Sequence, residues 1–74
     1  MSETIEFKLR DAEFIPLDKL LKATGTCDSG GSARWAVSQG EVRVDGEVEL
    51  RKRAKIRNGQ LVEFGTSKIR VVNP

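Results

Sequence analysis

Residues 29–46 read SGGSARWAVSQGEVRVDG, and their apolar positions change period in the middle. Ala33, Ala36 and Val37 recur at i, i+3 and i+4, the spacing that lines one face of a helix. Asp28 or Ser29 can accept hydrogen bonds from the first unpaired N–H groups of that helix, and Gly40 can end it in a left-handed conformation. The stripe is built of small residues, which lets the helix backbone come close to whatever it packs on. From Glu41 onward the pattern becomes alternation, with Val42 and Val44 on one side and Glu41 and Arg43 on the other, up to the turn signal Asp45-Gly46. Val48 and Leu50 resume the alternation beyond it. A two-residue turn sets Val44 opposite Glu47, whereas a three-residue connection with a bulge matches Val44 to Val48; the apolar match favours the bulge.

Upstream, Ile5, Phe7 and Leu9 alternate with Glu6, Lys8 and Arg10, which predicts an opening strand with one buried face. Pro16 suits the first turn of a helix, Leu17, Leu20 and Leu21 give it an apolar stripe, and Gly25 closes it, so helix one spans about residues 16–24. Downstream, Asn58-Gly59 is a turn signal, and Leu61, Val62 and Phe64, then Gly65-Thr66-Ser67, then Ile69, Val71 and Val72 predict a terminal hairpin. Phe7, Phe14 and Phe64 stand in apolar contexts and are expected in the core. The order strand, helix, helix and about four strands, with no internal repeat or linker, reads as one α+β domain over residues 1–74.

A chain of 74 residues, with 38% hydrophobic and 32% charged side chains, has room for one thin core and not for a large enzyme. With no histidine and a single cysteine, Cys27, histidine chemistry, a multi-cysteine metal site and an intramolecular disulfide drop out. Cys27 has no neighbouring base or resolving thiol and is expected to be inert. No apolar run approaches the roughly 20 residues that span a bilayer, and no secretory signal is visible, so a cytoplasmic location without cofactor or membrane partner is expected.

The charge is uneven. Residues 1–28 carry four basic and six acidic side chains, and residues 29–74 carry nine and five. Arg51, Lys52, Arg53, Lys55 and Arg57 put five cations into seven positions without an acid. Such a run repels itself, and a polyanion relieves that repulsion by exchanging its condensed counterions for the cations. The run is expected to form a loop contributing little to the core; in extended form Arg51, Arg53, Lys55 and Arg57 would share a side. The carboxylates Asp18, Glu41, Asp45, Glu47 and Glu49 fall on solvent faces of these patterns and read as solubility charges, without support for catalysis.

Residues 16–62 carry a recognisable order of motifs. Leu17-Asp18-Lys19-Leu20-Leu21 opens it, a helix led by Ser29 with Ala33 and Arg34 follows, then Gly40-Glu41-Val42-Arg43-Val44-Asp45-Gly46, and last Ile56 and Gly59-Gln60-Leu61-Val62. In this the chain resembles the RNA-binding domain named after ribosomal protein S-four, also called the alpha-L motif, and within it the small stand-alone bacterial proteins of the YbcJ type. The resemblance implies two short helices packed on a small, mostly antiparallel sheet of about four to five strands, with the opening strand and the terminal hairpin completing the sheet. Three positions depart from the family pattern: Pro16 replaces a basic residue, Gly30 replaces the arginine after the helix-two serine, and Asp45 replaces an asparagine. The Arg51-Lys52-Arg53 segment moves positive charge toward the loop instead.

The resemblance further implies that helix two and the neighbouring loop form an L-shaped basic surface that binds structured RNA of the ribosomal or transfer class; a monomer is expected. On this sequence that surface would comprise Ser29, Gly30, Gly31, Ser32, Arg34, Arg43, Arg51, Lys52, Arg53, Lys55 and Arg57. Ser29 to Ser32 offer backbone N–H groups and hydroxyls at a helix start, or form only a capped helix end. Arg34 can grip phosphate oxygens, or form a surface ion pair. Trp35 reads as packing against helix one in preference to stacking on a base. The rival reading is a protein-interaction or ribosome-associated adaptor using the acidic stretch from Glu41 to Glu49, and the same cations would also serve nonspecific duplex DNA binding.

Overall fold

The computed structural model describes residues 3–73. Its elements are β1 (Glu3–Lys8), β2 (Ile15–Pro16), α1 (Leu17–Ala23), α2 (Gly30–Ser38), β3 (Val42–Val44), β4 (Glu47–Val48), β5 (Lys55–Ile56), β6 (Leu61–Phe64) and β7 (Ser67–Val72). Five strands form one sheet in the order β1-β7-β6-β3-β4, and β2 and β5 form a separate antiparallel pair. Every pairing in the larger sheet is antiparallel except β1 with β7, which run parallel from Glu3↔Ser67 to Lys8↔Val72. The expected α+β architecture of two helices on a mostly antiparallel sheet is present.

Alternation along the strands sorts the sheet into two faces. Val42, Val62, Ile69 and Val71 are buried, and they share one apolar cluster with Leu17, Leu20, Leu21, Ala33, Ala36 and Val37 of the helices. Burying a leucine side chain contributes about 2 kcal/mol, so the three leucines of α1 anchor that helix on the sheet. The opposite face carries Arg43, Glu63 and Lys68 in one cross-strand row, an alternation of charges that suits solvent.

The helix ends follow their residues. Ser29 Oγ accepts a hydrogen bond from the Ser32 N–H at 3.1 Å, a cap worth about 1 kcal/mol. Gly25 and Gly40, each at φ +75°, turn the chain out of α1 and α2.

Four expectations are corrected. Asp45 and Gly46 both adopt positive φ, at 53° and 86°, so the β3–β4 connection is a two-residue turn that pairs Val44 with Glu47. Backbone turn chemistry outweighs apolar matching here, and Val48 and Leu50 stay exposed. Second, the basic run is not extended throughout: the Ala54 N–H donates to the Arg51 carbonyl at 3.1 Å, and only Lys55–Ile56 is strand. Third, the run does belong to the core, because Ala54 and Ile56 are buried. Fourth, Trp35 is 62% exposed, because Ala33, Ala36 and Val37 occupy the buried side of α2 and leave position 35 on the far side.

Candidate nucleic-acid interface

The site is organised around the start of α1. Pro16 lies in the β2–β5 pair, and its extended backbone delivers the chain into the helix at Leu17. The first two helical amides, of Leu17 and Asp18, donate to the carbonyls of Ala54 and Lys52 at 2.9 and 3.0 Å. The helix start is thereby capped by the backbone of the basic run. The two regions cannot part without exposing those amides.

Asp18 sits beneath this junction and is buried, which corrects its reading as a solvent-facing charge. Its Oδ1 accepts the Lys19 N–H at 2.9 Å, while Oδ2 faces Arg34 Nη1 at 3.7 Å and Arg53 Nε at 4.0 Å. A buried carboxylate is costly unless it is paired. Here the partners come from α2 and from the basic run, so one anion ties those two elements together. The separations exceed ordinary hydrogen-bond lengths, and both guanidiniums retain much of their exposure, 46% for Arg34 and 81% for Arg53.

Around Asp18 lies a groove of about 300 Å³ lined by Pro16, Asp18, Lys19, Lys22, Gly30, Arg34 and Arg53. Four cations face one carboxylate there, so the groove suits an anion larger than the carboxylate it already contains. A Cβ at position 30 would lie 3.1 Å from Arg34 Nη1, close enough that the guanidinium would shift slightly to admit it. The Arg34 guanidinium thus lies beside position 30. Lys19 and Lys22, three residues apart on α1, also belong to this groove, outside the cations expected to form the surface.

The remaining expected residues divide. Ser29, Gly31 and Ser32 adjoin the groove at the start of α2, with Ser29 engaged as the helix cap. Arg51, Arg53, Ala54 and Lys55 line another depression, and Lys52 is exposed beside it. Arg51 is not free: its Nε and Nη2 donate to the two carboxylate oxygens of Glu49, each at 3.1 Å. That hydrogen-bonded pair holds the Glu49 carboxyl below, and the Arg51 guanidinium above, their ordinary pKa ranges. Lys55 Nζ and the Arg57 guanidinium lie 5.0 and 5.7 Å from the centre of the Phe14 ring. Phe14 therefore supports two cations from outside the apolar cluster, contrary to its expected place in the core. Arg43 projects from the outer face of the sheet and is not brought to the groove.

Burial pushes the Cys27 thiol up, and the charges of Asp28 and Glu41 push it the same way, so the thiol is held in its unreactive form. Among the described residues no group of three His, Cys, Asp or Glu is placed to hold a metal ion, and no helix is long and apolar enough to cross a membrane.

Comparisons with known proteins agree with this geometry. YbcJ of Escherichia coli (strain K12) is 44% identical over 66 residues, which span 89% of this chain and 94% of that protein. A Bacillus subtilis (strain 168) protein named "Probable ribosome maturation protein RlbA" is 39% identical over 64 residues, 85% of this chain and 90% of its own. The solution structure of E. coli YbcJ, described as revealing an alpha-L motif involved in RNA-binding, matches with a TM-score of 0.74 at 43% identity, over 97% of this chain and 91% of that one. The resemblance to YbcJ-type proteins is thus borne out. The S4 domain family model matches residues 7–72, and the chain belongs to that family.

Proposed function

We propose that this protein binds structured RNA of the ribosomal or transfer class, chiefly through phosphate contacts at the groove around Asp18. The observation that carries the reading is that carboxylate, which holds Arg34 and Arg53 from separate elements beside Lys19, Lys22 and the start of α2. Guanidiniums pinned at one edge keep most of their five N–H donors for phosphate oxygens. Gly30, Gly31, Ser29 and Ser32 supply backbone and hydroxyl groups at the margin, and Lys52, Lys55 and Arg57 extend the positive surface. Arg51 acts only when it leaves Glu49, and Arg43 contributes long-range charge. The family membership and a relative named for ribosome maturation support the ribosomal class. On this reading the chain is a cytoplasmic, monomeric, single-domain binding module and not an enzyme.

The exposed Val48 and Leu50 beside Glu47 favour one second reading, an adaptor held by protein contacts with little RNA affinity of its own. Anisotropy titration of a labelled structured RNA and a length-matched DNA duplex, each at two salt concentrations, separates them. Tighter, salt-sensitive binding to the RNA is expected. Equal binding of both would leave a general polyanion binder, and no binding at low salt would favour the adaptor.

A further inference from the structure

Trp35 is the single tryptophan of the chain, and it stands 62% exposed on α2. The other aromatic residues, Phe7, Phe14 and Phe64, are half-buried. At about 100° per residue, the exposed side of α2 runs from Gly30 through Arg34, Ser38 and Gly31 to Trp35. Only small residues therefore lie between the Arg34 guanidinium and the indole, and the Ser38 hydroxyl turns back to donate to the Trp35 carbonyl at 2.7 Å. A Cβ at Gly31, one turn before Trp35, would meet nothing closer than Ser29 Oγ at 3.9 Å. A helical side chain leans over the turn that precedes it, so the surface beside the indole is open. The helix contains neither Asp nor Glu.

Resting on the RNA-binding reading, we propose that Trp35 stacks on one unpaired base while the Asp18 groove holds the adjoining phosphates, so that the preferred RNA is a duplex interrupted by a bulged or looped-out nucleotide. A regular A-form duplex shows side chains its backbone and the edges of its shallow groove, and keeps its base faces stacked away. An exposed indole gains nothing from that surface. An extruded base offers a π-face of any sequence, which an aromatic platform accepts without base-specific hydrogen bonds. The complementarity lies on one helix: the indole and the Arg34 cation sit about 100° apart around its exposed side with only Gly31 and Ser38 between them, and the helix has no carboxylate to repel a base or its phosphate.

The test uses the whole chain and two RNA hairpins with the same stem, one carrying a single bulged adenosine and one fully paired. Because Trp35 is the sole indole, its emission reports on this position alone. The bulged hairpin is expected to quench that emission on binding, and the paired hairpin to leave it nearly unchanged. Trp35→Ala should weaken the bulged hairpin about tenfold and the paired one by less than about twofold, with Trp35→Phe retaining most of the affinity. A thermal melt of each variant checks folding. An unmoved emission while anisotropy reports tight binding, or an equal loss for both hairpins in Trp35→Ala, overturns the stacking proposal and leaves RNA binding standing. Failure of the wild-type chain to bind either hairpin removes both.

Discussion

Arg51 and Arg53 stand two positions apart in one basic run and meet opposite fates. Arg51 is gripped by both oxygens of Glu49 within the same loop, with two donors of its planar fork engaged. Arg53 crosses to Asp18, reaches one oxygen at 4.0 Å, and shares that oxygen with Arg34. A chelated guanidinium has given up much of its capacity for phosphate, whereas one held at a distance is positioned and still available. A count of cations in sequence treats the two alike. What separates them is the geometry of the nearest carboxylate.

The largest effect that would break this contrast is expected from Arg34→Glu combined with Arg53→Glu, which should lower RNA affinity on the order of 100-fold by removing two charged contacts. Anisotropy at fixed salt reads it, and a loss below about fivefold would move the interface away from the groove. Asp18→Ala should come next: it leaves two guanidiniums without their shared anion and is expected to cost about 1–2 kcal/mol in urea denaturation. Unchanged stability would mean that Asp18 is no more than a tolerated neighbour. Arg53→Ala should then weaken RNA binding about fivefold and Arg51→Ala less than twofold, since a surface pair occupies the latter. Equal losses would erase the distinction between them.

The smallest effect concerns pH. The Glu49 carboxyl is held below its ordinary range chiefly by the Arg51 hydrogen bond, so its folded-state pKa lies under its unfolded one. The pair therefore contributes stability at neutral pH, and this contribution is lost as acidity protonates Glu49 below the usual carboxylate range. Arg51→Ala should slightly flatten the fall of stability between about pH 5 and the acid limit, and an unaltered curve would show the pair to be energetically silent.

Much of the architecture could be read from residue patterns. The helix ends were marked by Ser29, Gly25 and Gly40, and the buried stripes by Leu17, Leu20, Leu21, Ala33, Ala36 and Val37, because these signals are local. The pairing of β2 with β5 left no trace: two-residue strands have no period, and their partners are some forty positions apart. The burial of Asp18 was equally hidden, since LDKLL looks the same whether its polar side meets water or a returning loop. In the candidate site, Arg34 and the basic run were visible as charges. Their division into a shared Asp18 cluster, a Glu49 pair and a Phe14 platform was not, because each depends on a contact between elements or on the turn that shapes the loop.

The parallel pairing of β1 with β7 also governs the order in which the molecule can be completed. During synthesis β1 emerges before β2 to β7, yet its neighbour is not finished until Val72 has been added. While residues 9–66 are being added, that strand has no native partner and is open to mispairing with another nascent chain. Its outward-facing Glu6 and Lys8 offer protection, since charged side chains discourage association along a bare strand edge. The sheet is therefore sealed by the two of its strands that lie farthest apart in sequence, and synthesis that stops before β7 leaves β1 with nothing to dock on.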